Sequence, residues 1–165
     1  MSNLNSSFDL VTRDPHPAAL ASLMVIMDVA GAPGPAISGT PVAGTIHPGD
    51  IVMMDANGQA VLGDNAAWTT ATPILYMVAV DGDMDYDGAF LHRLTCLTGG
   101  LEMNTERFVA GVYTPGQPLT VGTVGTAGLL LGLTLAGQPL IGFVGPNGTN
   151  ADGTLDVLIP QNNGR

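Results

Sequence analysis

Beyond Gly39 the chain is a series of short apolar runs bounded by glycine, proline, asparagine and aspartate. That is the pattern of β-strands joined by tight turns. The clearest hairpin is Asp50-Ile51-Val52-Met53-Met54, a turn Asp55-Ala56-Asn57-Gly58, and Gln59-Ala60-Val61-Leu62. Its Asn-Gly pair tolerates the positive φ that tight hairpins need. Residues 73–80 are almost wholly apolar, which suits a strand buried on both faces. Strands are also expected over 89–97 and 101–109, with Gly99-Gly100 as the hairpin between them, and near 118–121, 129–135, 139–144 and 155–159. Short strands at this spacing predict an all-β fold, a small sandwich or barrel. Good helix formers are scarce. One helix could start at Asp14 and Pro15 and run through Ala18-Ala19-Leu20, but the continuation Leu23-Met24-Val25-Ile26-Met27 serves equally as a strand.

Residues 1–40 read differently from the rest. Two proline-punctuated stretches, Asp14-Pro15-His16-Pro17 and Ala32-Pro33-Gly34-Pro35, flank an apolar decapeptide at 18–27. The expected organisation is an extended N-terminal arm over 1–40 and a β-rich domain over 41–165. Leu20, Leu23, Val25 and Met27 are then candidates for burial against a partner; the alternative is that they belong to the domain's own core. The decapeptide falls short of the roughly 18 apolar residues that span a bilayer. Asp9 and Asp14 ahead of it cancel Arg13, so it is not read as an export signal either. Within the domain there is an internal echo. Pro48-Gly49, Ile51-Val52 and Gly58 match Pro115-Gly116, Pro118-Leu119 and Gly125, and the residues from Pro73 to Val78 match those from Pro139 to Val144. Two related hairpin-plus-strand modules would produce it.

Composition narrows the function classes. The four basic residues are all arginine against 14 acids, for a net charge of −10. Nothing here neutralises a row of phosphates or seeks an anionic membrane, so neither nucleic acid nor membrane is expected as a partner. One cysteine excludes an internal disulfide framework and a CxxC site. From 111 to 151 no side chain carries a charge. Strand edges are normally protected by charge, lysine above all, so much of this segment is expected to be core and the rest covered by other subunits, against the alternative that backbone, threonine and glutamine solvate it.

Candidate chemistry is sparse. Asp83-Met84-Asp85-Tyr86-Asp87-Gly88 opens like a calcium loop, with carboxylates at alternate positions and a glycine at the turn. The twelfth position is Leu94 where that loop needs a bidentate glutamate, so a true EF-hand is rejected. Asp83, Asp85 and Asp87 remain candidate ligands for Ca²⁺ in a looser site, against the alternative of a solvated acidic turn. His92 and Cys96 share a strand face but lie about 13 Å apart along it, too far for a catalytic pair. Glu102 and Glu106 are expected to be solvated or to pair with Arg93 and Arg107 across the hairpin. No nucleophile elbow, phosphate loop or dinucleotide fingerprint occurs, and the chain is read as a non-enzyme.

The stretches VAGTIHPGDIVMMDANGQAVLG and VAGVYTPGQPLTVGTVGTAGLLL, the latter leading into GQPLIGFVG, follow an N-terminal arm. In that order they resemble the capsid decoration, or cement, proteins of tailed bacteriophages over roughly residues 40–160. The resemblance implies a β-rich structural protein on the capsid exterior of a virion. It would bind the major capsid protein and clamp neighbouring subunits, as a homotrimer or alternatively a homodimer. The other reading is a carbohydrate- or receptor-binding β-module of a virion, with Trp68, Tyr76, Tyr86 and Tyr113 as stacking residues.

Overall fold

The computed structural model describes residues 8–10, 24–28, 46–56, 58–68, 74–80, 93–134 and 136–160, with backbone placement alone for 8–10, 24–28, 93 and 94. The strands are β1 (Phe8–Leu10), β2 (Met24–Asp28), β3 (Ile51–Met54), β4 (Ala60–Leu62), β5 (Tyr76–Ala79) and β6 (Arg93–Leu97). They continue with β7 (Leu101–Thr105), β8 (Pro118–Val121), β9 (Leu130–Gly132), β10 (Gly142–Thr149) and β11 (Leu155–Ile159). A six-stranded sheet runs β1-β7-β11-β10-β8-β9 and a five-stranded sheet runs β2-β6-β5-β3-β4. Every strand pair in both is antiparallel. The fold is the all-β sandwich that the turn spacing predicts.

The two-residue period of a strand decides what each sheet buries. In the five-stranded sheet Ile51, Tyr76 and Val78 point into the core, where they meet Leu119, Val121, Leu130, Val144, Leu155 and Val157 of the other sheet. The intervening residues Val52, Ala60, Met77, Ala79 and Cys96 form a second buried cluster with Ile46 on the opposite face. Thus β5 is buried at all four positions, as its unbroken apolar run requires.

The internal echo in the sequence is a duplicated architecture. Strands β2–β6 make one five-stranded unit with spatial order β2-β6-β5-β3-β4, and β7–β11 make another, ordered β7-β11-β10-β8-β9, to which β1 adds an edge. The registers correspond pair for pair. Val52↔Leu62 and Met54↔Ala60 match Leu119↔Gly132 and Val121↔Leu130. Ala79↔Cys96 and Val25↔Cys96 match Val144↔Val157 and Met103↔Val157. The entry turns correspond as well. The Gly49 N–H donates to the Ala79 carbonyl as Gly116 does to Val144, each at 2.8 Å. Gly49 and Gly116 have φ of 87° and 81°, and Gly58 and Gly125 have 79° and 86°. These are left-handed conformations that glycine alone adopts freely, which is why the glycines recur at matching places.

Two expectations change. Gly99-Gly100 does not close a hairpin: β6 and β7 lie in different sheets, so the glycines mark the boundary between the units. Register also equates Val78 with Phe143 rather than with Val144, one residue away from the sequence match. A one-residue slip exchanges the faces of a strand. The stretch 1–40, read as an arm, contributes β1 to the edge of one sheet and β2 to the edge of the other.

Candidate functional site

Among the candidate partner-binding residues, Val25 and Met27 occupy β2 at positions opposite Cys96 and Leu94. Leu20 and Leu23 lie outside the described residues, as do the candidate calcium ligands Asp83, Asp85 and Asp87 and the ring of Tyr86. Among the described residues no three His, Cys, Asp or Glu side chains converge in a way that could hold a metal ion. Cys96 is a buried thiol of the second apolar cluster.

Three of the four candidate stacking residues, Trp68, Tyr76 and Tyr113, belong to or pack against the sandwich core. Tyr76 is fully buried, and its hydroxyl donates to the Asp64 carbonyl at 2.9 Å. Burial, with help from the nearby Asp64 charge, pushes its pKa up to about 12. Tyr113 donates to the Val109 carbonyl at 2.6 Å and packs edge-on against Phe108, with centroids 5.5 Å apart. Burial raises its pKa too. Trp68 is partly buried against the core. A buried ring such as Tyr76 offers no face to a sugar.

Among the described residues, the buried charges belong to the framework. Asp50 is fully buried, and its carboxylate receives Arg107 Nε at 2.6 Å and the second guanidinium nitrogen at 3.3 Å. It also accepts the His47 N–H at 2.8 Å. Arg107 therefore bridges the start of β3 in one unit to the loop after β7 in the other, instead of facing a glutamate across a hairpin. The corresponding position in the second unit is Gln117, whose Oε1 accepts the Thr114 N–H at 3.1 Å in the same turn geometry. Sequence comparison of the two repeats, Asp against Gln at a matched turn, is the signal that could have marked Asp50. Asp156, on the outer side of β11, is buried beneath the β10 irregularity at Gly145-Pro146-Asn147. Its Oδ2 accepts the Asn147 N–H at 3.0 Å, and a Cβ at Gly145 would overlap its carboxylate.

What remains exposed on the second unit is largely uncharged. The loops around β8 and β9 present Val112 at 91% and Val124 at 90% exposure, among threonine, glycine and proline. On the outer face of the six-stranded sheet, Leu158 opposes Phe143 and Phe143 opposes Pro118, with Leu131 on the neighbouring strand opposite Thr120. Leu158 is 38% exposed, the others are half-buried, and none of the four belongs to either core cluster. Asp152 is the first charge after this region. The Thr154 N–H, and then its hydroxyl, bond to the Asp152 carboxylate and hold it below the usual carboxylate range. Such a surface can bury itself against protein at little desolvation cost, and it assembles no acid–base pair or nucleophile.

Comparison with family models, with curated proteins and with solved structures finds no match to this chain.

Proposed function

We propose that this protein is a structural component of a virion: a capsid decoration protein on the exterior of a tailed-phage head. On this reading it binds the major capsid protein as a small homo-oligomer and braces neighbouring coat subunits. The observation that carries the proposal is the uncharged exposed surface of the second unit. From 111 to 151 the chain holds no charge, yet its loops leave Val112 and Val124 almost fully in solvent. A protein with a net charge of −10 keeps its charges elsewhere, and a neutral apolar surface of this kind is favoured where another protein covers it. The absence of lysine fits the same role, because edges covered by a partner need no lysine to protect them. The resemblance in strand and turn order to decoration proteins supports the choice of partner.

The test is co-sedimentation of the full chain with empty shells assembled from the major capsid protein encoded in the same genome. Saturable binding at a fixed ratio to coat subunits is expected, lost when Val112 and Val124 are both replaced by Glu. A chain that stays in the supernatant at micromolar concentration would contradict the proposal.

A further inference from the structure

The two repeated units stack with unlike faces together. Val52, Ala60, Met77, Ala79 and Cys96 of the first unit correspond to Leu119, Leu130, Gly142, Val144 and Val157 of the second. In the first unit that face points away from the sandwich core, and in the second it points into it. The opposite faces correspond in turn: Ile51, Val61, Val78 and Leu97 match Pro118, Leu131, Phe143 and Leu158. In the first unit this face lies on the partner sheet, with Ile51 and Val78 each 1% exposed. In the second unit the matching apolar row is the outer face, and no sheet of this chain lies on it among the described residues.

We infer that this outer face, centred on Phe143, is where a second copy of the chain docks. Stacking of unlike faces would ask the second copy for its own counterpart face, carrying Val52, Met77, Ala79 and Cys96. Those residues are each 0% exposed, so that face is already occupied in every copy. Of these two sheet faces the outer one is left for pairing, with Leu158, Phe143, Pro118 and Leu131 as its accessible row around the buried Thr120. A surface that pairs with its own copy makes a twofold, closed dimer instead of a growing fibre.

Charge selects the same arrangement. Two chains of net charge −10 repel unless they meet where neither carries charge. Strands β8, β9 and β10 are uncharged throughout. The acids at positions of this face sit on the other side of the row: Glu102 opposes Leu158 on β7, Asp156 is buried on β11, and Asp9 is on the far edge strand β1. A twofold axis near Phe143 places the two Glu102 side chains at opposite ends of the interface. The inference is independent of capsid binding, since it concerns the free protein.

Sedimentation velocity of the full chain at micromolar concentration tests it. A dimer is expected, converted to monomer by Phe143→Glu and, separately, by Leu158→Glu, with unchanged far-ultraviolet circular dichroism. Val112→Glu, in the loop before β8 and outside the strand pairs that build the face, should leave the dimer intact. A monomeric or trimeric wild-type protein overturns the inference, as does a dimer that survives a folded Phe143→Glu or Leu158→Glu variant. Should one of these variants fail to fold, the other decides.

Discussion

At the scale of single residues, two buried polar groups, Asp50 and Tyr76, carry consequences that can be measured. Asp50 and Arg107 tie the units together by a carboxylate–guanidinium pair whose acidic half is wholly out of water. Such a pair contributes little over an apolar substitute, but removing one partner strands a buried charge at a cost of about 3–5 kcal/mol. Neither residue announces this in the sequence, because the pairing joins positions far apart in the chain. Arg107 was legible only as a charge near two glutamates. Tyr76 has a different consequence. Its pKa rises from 10.0 to about 12 on folding, so the unfolded chain loses the proton first as the pH climbs. The stability tied to the protonated ring is complete below pH 10 and is lost as pH rises through about 12. Tyr113 shifts in the same direction and adds to the loss. Urea midpoints are therefore expected to fall above pH 10, and to fall less steeply in Tyr76→Phe; an identical pH profile in that variant would contradict the assignment.

At the scale of elements, the sequence was readable wherever a turn needs glycine. Pro48-Gly49 with Gly58 and Pro115-Gly116 with Gly125 exposed the duplication because the backbone permits little else there. The strands between them were harder. Apolar residues at 139–144 align equally well one position out, and only the ladder Phe143↔Leu158 fixes which face each takes. The Gly99-Gly100 turn read as a hairpin because local sequence cannot show that a strand leaves for another sheet. The stretch at 18–27 was ambiguous between arm and strand, and its residues from Met24 onward pair with β6. The alternation along β11 supplies a sharp test. Val157 is fully buried in the core and Leu158 points outward at 38% exposure. Val157→Asp is expected to unfold the protein, since an unpaired buried carboxylate costs several kcal/mol. Leu158→Asp should leave the chain folded, with its far-ultraviolet circular dichroism unchanged, in keeping with a surface change. Equal damage from both changes would mean that the register of β11 is wrong.

At the scale of the whole molecule, duplication, acidity and an uncharged flank are the features on which the proposed role rests. One unit buries apolar residues on both of its faces, and the other leaves an apolar row and neutral loops outward. The all-β class and the uncharged segment were legible from composition and turn spacing. The outer row was not, because Pro118, Leu131, Phe143 and Leu158 come together only through strand pairing. If the covering partner is a coat lattice, binding must stabilise that lattice in proportion to occupancy, because a ligand that prefers the assembled state shifts the equilibrium toward it. The most direct measurement is the disruption temperature of empty shells by scanning calorimetry, with and without saturating amounts of the chain. A rise that saturates at a fixed ratio to coat subunits is the expected result; an unchanged temperature at full occupancy would contradict a bracing role.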